Sequence, residues 1–84
     1  MVMKSVLYTR TAAAALRKHA NRANLIRTKI RQYADDSSSL ANNVKPLVGV
    51  DAKRLRVGDF RVIFTETTDT ITILDVGPRG GIYE

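Results

Sequence analysis

The chain has 84 residues and a formal net charge of +6, and both limit what it can be. A chain of this length is too short for two hydrophobic cores, so we expect one domain spanning residues 1–84. With no cysteine and a single histidine, His19, the chain is a poor candidate for disulfides or a zinc site, and we expect neither metal nor cofactor.

No segment suggests export or membrane insertion. The longest apolar run, residues 12–16, is far shorter than the roughly 18 residues of a candidate membrane span. The first residues also lack a hydrophobic region of signal-peptide length. We therefore expect a cytoplasmic protein with no membrane partner.

Positive charge is concentrated in the first part of the chain. Residues 1–34 contain eight lysines and arginines and no acidic residue. These cations are Lys4, Arg10, Arg17, Lys18, Arg22, Arg27, Lys29 and Arg31. Small basic domains with merely solubilising charge are common, but an unbroken positive half favours contact with RNA, DNA or the ribosome.

A strand and then a helix are predicted at the start of the chain. Residues 2–8 are rich in β-branched and aromatic side chains, which is typical of a strand. Thr9 or Thr11 is expected to cap a helix that begins near Arg10, because the alanine-rich segment after it has high helix propensity.

A second helix and an irregular segment follow. Apolar side chains recur with helical spacing in residues 21–33, and Asn21 is the candidate cap. They are Ala23, Ile26, Ile30 and Tyr33. Asn42, Asn43 and Pro46 predict irregular backbone, after which residues 47–50 are expected to dock against the core.

From residue 53 the pattern changes to a period of two, which predicts strands. Leu55 and Val57 alternate with Arg54 and Arg56, so the apolar pair is expected in the core and the arginines on the opposite face. Gly58-Asp59 predicts a hairpin turn into residues 60–67, and Thr68-Asp69 a second turn into residues 71–76.

The predicted fold class is α+β, with an N-terminal strand and a two-helix hairpin packed on one face of a small, mostly antiparallel sheet. Two helices cover only one face of such a sheet, so the face with the arginines is expected to be open to a ligand. Arg61, on the neighbouring strand, is expected beside Arg54 and Arg56. Guanidinium groups clustered in this way favour a phosphate backbone as ligand.

Two further residues near the C-terminus extend this candidate anion site. A turn rich in glycine and proline brings Arg79 and then Tyr83. Simpler roles remain open for two members of the cluster. Arg61 could form a structural ion pair with Asp59 or Asp75, and the ring of Tyr83 could cover the edge of the sheet.

The element order resembles the RelE/ParE superfamily of type II toxin–antitoxin toxins, with its basic face closer to the RelE branch. The resemblance is most specific in RLRVGDFRVIF at residues 54–64 and GPRGGIY at residues 77–83. It implies a RelE-like toxin that inhibits translation as a ribosome-dependent mRNA endonuclease (an mRNA interferase). The implied partners are the ribosome, mRNA and a cognate antitoxin that forms a hetero-oligomer with the toxin.

The resemblance also implies roles for individual residues in metal-independent RNA cleavage. Such cleavage uses the 2′-hydroxyl as nucleophile and leaves a 2′,3′-cyclic phosphate and a 5′-hydroxyl. Tyr83 would carry the proton, because nearby positive charge lowers the pKa of a phenol. Arg61 and Arg79 would stabilise the transition state. RNA-binding roles fall to Lys53, Arg54 and Arg56.

Two other functions are compatible with the same sequence. One is a ParE-like toxin that inhibits DNA gyrase by binding it and has no nuclease activity. The other is a basic nucleic-acid-binding module, or a degenerate toxin, without activity. Several arginines around one phenol favour RNA cleavage, since a gyrase-binding protein does not need that arrangement.

Overall fold

The computed structural model describes residues 4–78 and has the predicted α+β architecture. Along the chain the elements are β1 (Ser5–Tyr8), α1 (Arg10–Lys18), α2 (Ala20–Asp35), a 3₁₀ helix (Ser37–Asn43), β2 (Val44–Pro46), β3 (Lys53–Val57), β4 (Phe60–Glu66) and β5 (Thr70–Pro78). None of the helices in this part of the chain has the length and hydropathy of a membrane span.

The starts of the two α-helices differ in how they are capped. Thr9 caps α1 as predicted: its hydroxyl oxygen accepts a hydrogen bond from the backbone N–H of Ala12 at 3.1 Å. The prediction of Asn21 as the cap of α2 is wrong, because this helix already begins at Ala20. His19 occupies the position before it and makes no side-chain cap bond.

The five strands form one sheet in the order β1-β5-β4-β3-β2. β1 pairs with β5 in parallel, and the other neighbours are antiparallel. Gly58-Asp59 forms the predicted turn between β3 and β4, with a φ of +57° at Gly58. Glycine adopts this left-handed conformation without the steric cost that a Cβ atom imposes.

The hydrophobic core lies between the helices and one face of the sheet. The predicted helical stripe is buried at Ile26, Ile30 and Tyr33. The sheet contributes Leu55 and Phe64, and the rings of Tyr33 and Phe64 meet edge to face with their centroids 5.2 Å apart. Because strand side chains alternate between faces, residues 54, 56 and 61 are directed to the face opposite the helices.

The segment between the helices and β3 differs from the sequence prediction in two ways. Val44–Pro46 is not irregular but forms β2, an edge strand that pairs antiparallel with β3. Proline is tolerated there because an edge strand has backbone N–H groups that need no ladder partner. The predicted docking of residues 47–50 is also wrong, since Val48 is fully exposed and Val50 is 50% exposed.

Candidate nucleic-acid interface

Four cationic side chains from three adjacent strands share the face of the sheet opposite the helices. The register places Lys45 of β2 opposite Arg54 of β3, and Arg56 of β3 opposite Arg61 of β4. Side chains directly opposite each other in an antiparallel pair lie on the same face, with Cβ atoms about 5 Å apart. We call these four residues the basic sheet face.

The basic sheet face lines a small polar depression together with Asn42 and Asn43. The two asparagines end the 3₁₀ helix, immediately before β2, so the chain carries them to the margin of the sheet. Asn43 Nδ2 donates a hydrogen bond to the backbone carbonyl of Arg56 at 3.5 Å. Among the described residues, no Asp or Glu lines this depression.

The members of the basic sheet face differ in accessibility. Lys45 and Arg56 are exposed and Arg54 is half-buried, whereas Arg61 is only 7% exposed. Within residues 4–78, the ion pairs do not involve Lys45, Arg54 or Arg56. Three positive charges on this face are therefore accessible to an external anion, whereas Arg61, opposite Arg56 on the same face, is buried.

One acidic residue, Asp75, lies on β5 near this face. It is opposite Ile63 of β4 rather than opposite Arg61, whose register partner on β5 is Gly77. The Asp75 carboxylate accepts a hydrogen bond from the backbone N–H of Val76 at 2.8 Å. That bond holds the carboxylate against its own strand.

Lys53 is not brought to the basic sheet face. It lies opposite Phe64, a core residue, and therefore on the helix-facing side of β3. Its Nζ donates to Glu66 Oε1 at 2.9 Å. The structure thus separates Lys53 from Arg54 and Arg56, the residues with which the resemblance implied a shared role in RNA binding.

Glu66 is the centre of a charged cluster on the helix-facing side of the sheet. Its carboxylate accepts hydrogen bonds from Lys4 at 2.5 Å, Lys53 at 2.9 Å and the Tyr33 hydroxyl at 2.7 Å. Burial alone would raise the pKa of Glu66, but these donors outweigh it and lower the pKa to about 2. Burial and then the hydrogen bond to Glu66 raise the pKa of Tyr33 above its ordinary value.

The two remaining catalytic candidates, Arg79 and Tyr83, lie outside the described residues. The strand that leads to them, β5, runs beside β4 and ends at Pro78. Pro78 pairs with Phe60, the residue next to Arg61. The proposed catalytic roles of Arg79 and Tyr83 therefore stay predictions from the sequence.

Lys45, Asn42 and Asn43 were not predicted from the sequence as members of the site. All three precede Pro46 in a polar segment that reads as loop, and their place depends on the pairing of β2 with β3. The available clue was the alternation in Val44-Lys45-Pro46, which is too short to show a period of two.

Solved structures with the same fold are toxin components of toxin–antitoxin systems. YafQ from E. coli strain BL21(DE3) is 12% identical with a TM-score of 0.78, and the match covers 96% of this chain and 99% of that one. A chain of the toxin–antitoxin complex RelBE2 from Mycobacterium tuberculosis is 27% identical with a TM-score of 0.68, and the match covers 94% of this chain and 94% of that one. A chain of the chromosomal ParDE system from P. aeruginosa is 18% identical with a TM-score of 0.70, and the match covers 92% of this chain and 97% of that one.

No protein-family model matches the sequence, and neither does any curated protein. The likeness is therefore carried by the fold over nearly the whole chain, and by the identity to RelBE2. The chain therefore has the fold of the RelE/ParE toxins, in agreement with the resemblance found in its sequence.

Proposed function

We propose that this protein is the toxin of a type II toxin–antitoxin system and a ribosome-dependent endoribonuclease that cuts mRNA. The observation that carries the proposal is the basic sheet face, where Arg54, Arg56 and Arg61 meet on two adjacent strands. Phosphate is the natural ligand of such a cluster, since guanidinium groups donate paired hydrogen bonds to phosphate oxygens. Such a toxin would act in the cytoplasm, where its ribosomal target lies.

The proposed reaction is attack of a 2′-hydroxyl oxygen on the adjacent phosphorus. The new 2′-oxygen–phosphorus bond forms as the bond to the 5′-oxygen breaks, which leaves a 2′,3′-cyclic phosphate and a 5′-hydroxyl. Negative charge grows on the phosphate oxygens in the transition state, and cations fixed beforehand on a rigid sheet stabilise it without reorganising. Arg54, Arg56 and Lys45 would bind the phosphate backbone, and Arg61 would stabilise the transition state.

The proton transfers require a further group. Tyr83 is the proposed base that takes the proton from the 2′-hydroxyl, and the departing 5′-oxygen takes a proton from water to become the 5′-hydroxyl. Arg79 is the proposed second stabiliser of the transition state. Lys53 is a weaker candidate for RNA binding than Lys45, because its ammonium group pairs with Glu66 on the other side of the sheet.

The proposed partner is a cognate antitoxin that forms a hetero-oligomer with the toxin. The similarity to the RelBE2 toxin–antitoxin complex supports this partner. Because the chain carries a net charge of +6, an antitoxin with acidic segments would be electrostatically complementary. Toxicity on expression that a small neighbouring reading frame relieves would support this assignment.

The activity is tested with translating ribosomes that carry mRNA. The wild-type protein should cut the message and leave a cyclic phosphate end, and Arg61→Ala and Arg56→Ala should abolish or strongly reduce the cut. Arg17→Ala, an exposed arginine on α1, is the matched control for loss of one charge and should cut normally. Thermal melting must accompany Arg61→Ala, because this side chain is 7% exposed and its removal also affects packing.

A ParE-like function is the alternative, supported by the likeness to the ParDE system at a TM-score of 0.70. In that case the message would stay intact on ribosomes and the protein would block supercoiling by DNA gyrase. The higher identity to RelBE2, 27% against 18%, favours the nuclease.

A further inference from the structure

The groups that line the polar depression divide by hydrogen-bonding capacity. Lysine and arginine side chains are donors only, whereas an asparagine amide has both a donor and an acceptor. Among the described residues, the side-chain acceptors of this depression therefore belong to Asn42 and Asn43. Four cations bind phosphates, which RNA and DNA share, so they do not distinguish the two nucleic acids.

The side-chain amide of Asn43 uses its donor group within the protein but not its acceptor oxygen. The Nδ2 group donates to the Arg56 carbonyl on β3, while Oδ1 accepts no hydrogen bond within residues 4–78. Among these residues, no buried side-chain polar atom lacks a partner, so Oδ1 reaches solvent. The same strand, β3, presents Arg54 and Arg56 to the depression. An acceptor thus stands beside the cations at the margin of the depression.

We propose that Asn43 is a specificity-determining residue that accepts a hydrogen bond from the ribose 2′-hydroxyl of the bound strand. The proposal rests on the proposed function, since it requires that the basic sheet face bind a ribose-phosphate chain. The 2′-hydroxyl is the group by which a protein distinguishes RNA from DNA at a given position. This hydroxyl lies on a sugar beside a phosphate that Arg54 or Arg56 holds, and it is distinct from the nucleophilic 2′-hydroxyl whose single proton passes to Tyr83.

The experiment compares three single strands of one sequence that differ only at the 2′ position. They carry hydroxyl, fluorine or hydrogen, with deoxyuridine in place of thymidine in the DNA, and binding is measured by fluorescence anisotropy at low salt. Fluorine does not donate a hydrogen bond, so only the hydroxyl strand satisfies Asn43 Oδ1. The wild-type protein should bind it about 2- to 10-fold more tightly than the other two, as expected for one hydrogen bond.

In Asn43→Ala this preference should disappear while the affinity for the fluoro and deoxy strands stays the same. A merely structural role of Asn43 would instead weaken all three strands equally. Asn24→Ala, an exposed asparagine on α2, is the control and should keep the preference. Gel analysis verifies that the hydroxyl strand stays intact during the measurement.

Two results would overturn the inference. One is an Asn43→Ala variant that keeps the wild-type preference, and the other is a wild-type protein that binds all three strands equally. If that wild-type protein still cuts mRNA on ribosomes, the proposed function stands and only the role of Asn43 is lost. If the wild-type protein binds none of the strands even at low salt, the role of Asn43 is likewise lost, and the proposed function fails with it only if mRNA on ribosomes also stays intact.

Discussion

Glu66 connects three parts of the fold through one carboxylate. Its donors come from the residue before β1, from α2 and from β3, and they are Lys4, Tyr33 and Lys53. Lys4 and Glu66 are 62 positions apart in the chain. The period of two already places Lys53 on the face of Leu55 and Val57, so its assignment to the RNA site came from the resemblance alone. No local pattern indicated a role for Glu66.

The cluster predicts how stability depends on acid. The pKa of Glu66 is about 2 in the folded protein and 4.5 in the unfolded chain. The ionised carboxylate therefore stabilises the fold above pH 4.5, and this contribution is lost as the pH falls toward 2. After allowance for solvent screening, we expect about 1–2 kcal/mol. Glu66→Gln should lose this amount at neutral pH and show a flatter acid profile in urea unfolding.

The control for this prediction is a variant that keeps the charged carboxylate of Glu66. Tyr33→Phe removes one donor to Glu66 but leaves both lysines, so its unfolding free energy should still fall steeply below pH 4.5. A Glu66→Gln variant whose acid profile matches that of the wild-type protein would show that the carboxylate does not control acid stability.

At the scale of elements, the strands with clear alternation were predictable and the edge strand was not. Leu55 and Val57 face the core while Arg54 and Arg56 face away, as the period of two predicts. β2 has only three residues and ends in Pro46, so its conformation comes from pairing with β3 rather than from its own sequence. Lys45 enters the basic sheet face only through that pairing.

The same pairing places like charges directly opposite each other at two positions, Lys45 with Arg54 and Arg56 with Arg61. Such cross-strand pairs destabilise a sheet, and a local rule broken in this way is typical of a functional site. A bound phosphate would relieve the repulsion. If the basic sheet face binds phosphate as proposed, this binding is gained at some cost to the stability of the free protein.

Removing one of these charges should raise the stability of the fold while lowering its affinity for RNA. Arg56→Gln removes the repulsion with Arg61, and we expect the free energy of unfolding at low salt to rise by about 0.2–1 kcal/mol. The gain should vanish near 1 M salt, where the Debye length is only about 3 Å. Affinity for single-stranded RNA should fall in the same variant. Urea unfolding at both salt concentrations and fluorescence anisotropy measure the two effects.

Arg17→Gln is the contrasting variant for Arg56→Gln. Arg17 is exposed in the last turn of α1, where positive charge complements the helix dipole. Its loss should slightly lower stability and leave RNA affinity nearly unchanged. If Arg56→Gln instead destabilises the protein at low salt, repulsion between the opposed cations is not a significant term.

For the whole molecule, fold and activity are separate questions. The chain shares its fold with YafQ at only 12% identity and with the ParDE system at 18%, so very different sequences satisfy the same packing. One fold commonly hosts several functions, and activity is decided by the residues placed on it. The order of elements could be predicted from the sequence, whereas the composition of the basic sheet face required the register of three strands.

The distribution of charge over the molecule yields the last prediction. Positive charge lies both on the sheet and on the exposed surfaces of α1 and α2, and a polyanion could use either. The two surfaces differ in salt dependence, since each phosphate neutralised on a single strand contributes about −0.7 to the slope of log affinity against log salt. If the three accessible residues of the basic sheet face, Lys45, Arg54 and Arg56, bind one phosphate each, the slope should be about −2. Arg54→Gln should make it less steep by about 0.7, and Arg17→Gln should leave it unchanged. The reverse pattern, in which Arg17→Gln alters the slope and Arg54→Gln does not, would place the strand on the helices and remove the main support for a nuclease site on the sheet.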